Sequence, residues 1–212
     1  MILENLLIIV IPFLLLTIFL IFSVSQLPTQ KEKLSNNFQK LAKEFQLNYI
    51  GADQKWWKYD PSVNGFLSDR YVKVNVRVAS VNQNTERYTC ISMTCANLSY
   101  TMSLSKKDAR NRGNVLLVNQ GIQDDDDYFN KKISIQGSNK LAVQKLLNTI
   151  IKRLLIKHIS NLNWELTVNK NEIYYEEEYI MDQDKNYKRT VELIKMVEKI
   201  ALRAEEVQRI YQ

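Results

Sequence analysis

One stretch near the start of the chain restricts every architecture open to it. Leu6 to Phe22 reads LLIIVIPFLLLTIFLIF, without a charged residue, and Ser23 and Val24 extend it. An apolar run of about 18 residues or more, coiled as a helix, matches the ~30 Å hydrocarbon core of a bilayer. Pro12 removes one helix hydrogen bond, which membrane helices tolerate. A cleaved signal peptide is the competing reading, because Ser23-Val24-Ser25 resembles a small-residue cleavage site. Against it, only Glu4 is charged before the run, and the run exceeds the roughly 7–15 apolar residues of a signal peptide. The sequence therefore predicts a retained single-pass anchor over residues 1–25. After the span come Lys31, Lys33, Lys40 and Lys43, offset by Glu32 and Glu44. The positive-inside rule places that flank, and the domain behind it, in the cytoplasm.

The remainder has the make-up of a folded protein. The 212 residues are 45% hydrophobic and 25% charged, with 29 Lys and Arg against 23 Asp and Glu, net +6. That balance excludes dominant disorder. Two cysteines cannot build a disulfide scaffold or a four-cysteine metal site. Residues 26–31 read as a linker broken by Pro28, and 32–212 as one α+β domain.

Periodicity supplies its elements. Leu34, Phe38, Leu41, Ala42 and Phe45 fall on one face of a helix over about 32–46. Val72, Val74, Val76 and Val78 alternate with Tyr71, Lys73, Asn75 and Arg77, the clearest strand in the chain. A short strand at about 63–68 pairs with it. Strands follow at 87–95, 98–104, 115–118 and 131–136. A broad apolar stripe from Leu141 to Ile159 predicts one long helix. Trp164–Val168 and Glu172–Ile180 form a hairpin around Asn169-Lys170-Asn171, and Tyr187–Ile210 an amphipathic helix. Runs of strands without strand–helix alternation predict an α+β fold. The expected sheet is mainly antiparallel, with about six to eight strands and three helices.

Little of this carries chemistry. Four adjacent aspartates, Asp124–Asp127, diverge too much to converge on a cation, and read as a solvated acidic turn before a strand at Phe129. Glu176-Glu177-Glu178 reads as a charged solvent edge. His158 has Lys152, Arg153 and Lys157 beside it, which lower its pKa. Cys90 and Cys95 face opposite sides of one strand. Neither P-loop, GxGxxG, GxSxG nor HExxH occurs. The chain is thus expected to be non-enzymatic, with no catalytic, cofactor or metal residues. Its basic residues are too dispersed for a nucleic-acid module. Candidate contacts with a membrane interface or a partner are Trp56, Trp57 and Tyr59, whose ring types favour that interface, and Lys106, Lys107, Arg110 and Arg112.

The order of elements, with Tyr88-Thr89 opening a strand and Phe129-Asn130-Lys131-Lys132-Ile133-Ser134-Ile135-Gln136-Gly137 after an acidic segment, resembles a family of uncharacterised bacterial proteins. These have an N-terminal membrane anchor and one α+β domain. The resemblance spans most of residues 34–205. Asn130 stands where the family usually has Asp, and Ile133 where it usually has Phe. It implies no activity and no functional residues. The expectation is a membrane-anchored interaction or accessory module with a protein partner or a second copy of itself. The alternatives are a lipid- or small-molecule-binding module and, third, a metal-dependent enzyme.

Overall fold

A computed structural model describes residues 29–51, 60–81, 84–107, 120–158 and 162–211. The anchor segment lies outside them, as do Trp56, Trp57, Tyr59, Arg110, Arg112 and the strand expected at 115–118. Among the described residues, no helix is long and apolar enough to cross a membrane.

The first described element is helix α1, Gln30–Phe45. Thr29 caps it with a capping box: its hydroxyl accepts from the Glu32 amide, and the Glu32 carboxylate accepts from the Thr29 amide. Two otherwise orphaned helix donors are satisfied in this way. Gln46, in the left-handed region, ends the helix. Strand β1 (Asn48–Ile50) was not legible from periodicity, being three residues long. Strands β2 (Ser62–Leu67), β3 (Arg70–Val81) and β4 (Asn84–Thr94) form an antiparallel meander. The β2–β3 turn is Ser68-Asp69, both with positive φ, 48° and 65°. Such two-residue turns twist with the strands they join.

Strand β5 (Met102–Lys106) is followed, after residues outside the description, by β6 (Gln120–Gly121). The acidic run does not lead straight into a strand. It opens helix α2, Asp127–Lys132, because the Asp126 carboxylate caps the amides of Tyr128 and Phe129. Strand β7 (Ile133–Gly137) starts where that helix stops. The single helix expected over 141–159 is two, α3 (Lys140–Leu146) and α4 (Thr149–His158). Asn148 makes the break, its side chain accepting from the Ile151 amide as a new N-cap. The hairpin is β8 (Trp164–Val168) and β9 (Glu172–Glu177), and α5 (Asp184–Ile210) closes the chain.

The nine described strands form one sheet, ordered β1-β2-β3-β4-β9-β8-β5-β7-β6. Every pairing is antiparallel. The α+β class holds, with nine strands and five helices among the described residues rather than six to eight and three. The surplus is the short pieces: β1, β6, α2 and the split α3–α4. One sheet face carries Val63, Val72, Val74, Ile91, Met93, Met102, Leu104, Ile135, Leu166, Val168 and Ile173. All are buried in one core with Phe38 and Leu41 of α1, Val143 and Leu146 of α3, Ile151 and Leu155 of α4, and Ile194, Val197 and Ile200 of α5. The four longer helices thus cover the same face.

Register fixes the two ends of the sheet. Thr89 pairs with Glu177, Glu177 with Trp164, Ser105 with Glu165, and Lys106 with Ile133. The ends of β9, β5 and the starts of β8 and β7 therefore share one edge of the sheet. Helix α1 begins there too: Gln30 donates to the Asp182 carboxylate at 2.8 Å and Asn37 to the Met181 carbonyl at 2.9 Å, in the segment leaving β9. We call this the proximal end.

Gly137 closes β7 where no side chain fits. A Cβ there would lie 2.7 Å from Val143 Cγ2 and 3.0 Å from the Thr101 carbonyl, whereas at Gly121 nothing among the described residues lies within 4 Å. Gly137→Ala is expected to cost about 1–3 kcal/mol by overpacking. Gly121→Ala should stay within about 0.5 kcal/mol. Urea unfolding of the two variants checks this.

Candidate functional site

Two groups of polar side chains stand out, one on each face of the sheet. The first is buried. Glu177, read from sequence as a solvent-edge charge, is fully inaccessible. The reason is position: β9 is an interior strand between β4 and β8, and the residues flanking Glu177 point the other way. Arg189 of α5 grips its carboxylate with two charge-assisted bonds of 2.7 Å, from Nε and a terminal nitrogen. The guanidinium also donates to the His158 carbonyl, 2.8 Å, where α4 ends. The Tyr175 hydroxyl donates to Glu177 at 3.2 Å. Thr89 donates to the Tyr179 carbonyl at 2.8 Å. His158 is itself buried, and burial first, then the Lys157 charge, lowers its pKa. It sits at the end of α4.

The second group lies on the face opposite the helices. Arg77 of β3 holds Glu176 of β9 bidentately, at 3.0 and 2.7 Å, and stacks 4.6 Å over the Tyr88 ring. The Tyr174 hydroxyl donates to Glu176 at 2.8 Å and lies 3.1 Å from Cys90 Sγ. Across the next pairing, Glu165 stands opposite Glu176 and accepts from Ser103 at 3.2 Å. Burial raises the pKa of Cys90, of Tyr174 and of Glu165, with the Glu176 charge adding to the last. The thiol is held protonated, the reverse of what nucleophilic chemistry needs. The carboxyl group of Glu165 holds its proton more firmly than an exposed one. The cluster spends its donors and acceptors on itself, which stiffens the face. Farther along the same face, Phe66 is 71% exposed and packs edge-on against Tyr71, ring centroids 5.7 Å apart.

Of the residues singled out from sequence, Lys106 and Lys107 are described. They end β5 at the proximal end, beside the last turn of α2, which carries Lys131 and Lys132. The Lys107 amide donates to the Lys132 carbonyl at 3.1 Å and its ammonium to the Asn130 carbonyl at 2.9 Å. Lys132 lies 4.8 Å over the exposed Tyr128 ring. Sequence reading missed Lys131 and Lys132, because a strand was expected there. The acidic run divides its work: Asp124 is buried in an ion pair with Lys152 of α4, and Asp126 caps α2. Among the described residues, no three His, Cys, Asp or Glu side chains are grouped to hold a metal ion. A shallow recess of about 170 Å³, partly open to solvent, lies between α4, α5 and the β8–β9 hairpin. Leu155, His158, Trp164, Tyr175 and Met196 line it. Among the described residues, the buried indole N–H of Trp164 has no hydrogen-bond partner.

No family model matches the chain, and no curated protein matches it. Among solved structures, the crystal structure of the mycobacterial trehalose monomycolate transport factor A, TtfA, is similar at 10% identity and a TM-score of 0.54. The match covers 79% of this chain and 93% of that one. At that identity the likeness is one of fold, and it agrees with the α+β reading.

Two measurements follow. Arg189→Met should destabilise the chain by about 3–5 kcal/mol, since it leaves Glu177 buried without its cation. Chemical denaturation reads this directly. Glu165 has a folded-state pKa above its unfolded one, so the folded state binds the extra proton. Its contribution is favourable at low pH and is lost as pH rises through the folded pKa. Glu165→Gln should therefore raise stability at neutral pH and change it little well below the carboxylate range. Denaturation midpoints across pH 3–8 check the sign.

Proposed function

We propose that this chain is a single-pass membrane protein whose domain, on the cytoplasmic side, serves as a non-enzymatic accessory module for a protein partner. The observation that carries the reading is the entry of α1. The capping box at Thr29 and the bonds from Gln30 and Asn37 fix the first turns of α1 to the proximal end. Phe22, the last residue of the apolar run, is seven positions before Thr29. That reach is at most about 25 Å. A tether of that length keeps the proximal end near the bilayer, an arrangement in which the strands would rise from it and the helix-free face would turn sideways. That orientation suits a neighbouring membrane protein. Phe66 and Tyr71 supply an exposed aromatic pair on that face, the residue type enriched where partners bind.

Fold likeness to a protein called a transport factor fits an accessory role and supports nothing finer. The rival reading, a lipid or small-molecule pocket, would draw on the recess beside Trp164. Its enclosed space is about 10 Å³, room for about one water molecule.

Mild-detergent purification of the full chain is expected to retain a stoichiometric protein, lost at least tenfold in Phe66→Ala/Tyr71→Ala. Retention of that partner by the double variant would sink the assignment of the face. A chain that purifies without any partner would sink the accessory reading.

A further inference from the structure

The proximal end carries a feature that the anchor alone does not require. Lys106, Lys107, Lys131 and Lys132 meet there from two elements, the end of β5 and the last turn of α2, brought together by the Lys106–Ile133 register. Helix α1 packs at the other side of the same sheet, over β1 and β2. β2 and β5 are five strand spacings apart in the strand order, and the first turn of α1 bonds Asp182 in the segment that follows β9. One end of the domain thus carries both the tether and, on other elements, a lysine cluster. The geometry points to this cluster as a second membrane contact, docking on the anionic headgroups of the bilayer that holds the tether. This inference rests on the anchored reading above.

Three properties of the cluster suit a lipid surface. Among the described residues, no carboxylate lies within ion-pair distance of Lys107, Lys131 or Lys132. The contacts given for Lys107 and Lys132 are a carbonyl and a ring, which leave the charge intact. Two of the nearby acidic residues have partners of their own: Asp124 is paired with Lys152, and Asp126 caps α2. The carboxylates at one end and the lysines at the other also each complement the helix dipole. Third, Tyr128 lies beside the lysines and is 52% exposed. Its amphipathic ring matches the headgroup layer, where tyrosine is enriched. Each lysine near an anionic surface strengthens binding by roughly fivefold. Lys107, Lys131 and Lys132 on a domain already tethered would each add to its hold on such a surface.

The test uses the full chain reconstituted into nanodiscs of phosphatidylcholine alone or with 30% phosphatidylglycerol, a composition we set, read by amide hydrogen exchange. Peptides covering 102–107 and 127–133 should exchange at least about fivefold more slowly on the anionic discs. The difference should vanish near 1 M salt, where the Debye length falls to about 3 Å. It should also vanish in the variant with Lys106, Lys107, Lys131 and Lys132 all changed to Gln. The matched variant at Lys43, Lys73, Lys140 and Lys170, away from this cluster, should keep the protection. Equal exchange on both discs, or protection that survives high salt in the unaltered chain, would overturn the docking. Alkaline carbonate extraction separates the two levels. A chain that stays in the bilayer but shows no anionic protection loses only the docking, whereas a chain released by carbonate loses the anchored reading and this inference together.

Discussion

The grip of Arg189 on Glu177 is the interaction from which the rest of the architecture can be followed. A carboxylate removed wholly from water is tolerable only with a cation and further donors around it. Here the partners come from three places at once: α5 supplies the guanidinium, β9 the Tyr175 hydroxyl, and the end of α4 receives the remaining N–H. This ion pair thus ties the first turns of α5 to β9 and to the end of α4. Once α5 starts at the proximal end it reaches the distal one, where Arg70 of β3 meets Glu205 at 2.6 Å and the Ser99 amide meets Gln208 at 2.7 Å. Hydrophobic burial supplies most of the stability of this layer, but burial is non-directional. The polar pairs select one placement among the many that would bury the same leucines.

That placement also decides what the opposite face of the sheet carries. With the four longer helices on one side, the opposite face of the sheet is left to residues such as Arg77, Glu176, Tyr174 and Glu165. These satisfy one another rather than point at a substrate. The raised pKa of Cys90 and Tyr174 follows from the same crowding. The result is a stiff polar wall with an aromatic pair at its far corner.

Periodicity carried much of this architecture. The valine alternation of β3, the hairpin at Asn169–Asn171, the apolar stripes of α1 and α5, and the α+β class can all be read from spacing alone, because each is a local pattern repeated over several turns or pleats. The shorter elements could not be read. Three residues of β1 and two of β6 show no period. Helix α2 depends on a single capping carboxylate, Asp126, hidden in a run of four identical residues. The break between α3 and α4 depends on Asn148 acting as an N-cap in the middle of an unbroken apolar stripe. In both helical cases side-chain-to-backbone hydrogen bonds outweigh a weak propensity, and only the folded backbone shows which ones form.

The candidate sites divide in the same way. By itself the sequence determined the apolar run, the excess of positive charge, and the lysines at 106 and 107, all properties of composition along the chain. Tertiary structure decided that Glu177 is interior rather than edge, since strand order is set by pairing between segments far apart in sequence. It also decided that Lys131 and Lys132 join Lys106 and Lys107, and that this cluster and the start of α1 lie at one end of the sheet. Such proximity is a matter of register, and a one-residue slip would reverse every side chain's face without altering a single letter of the sequence.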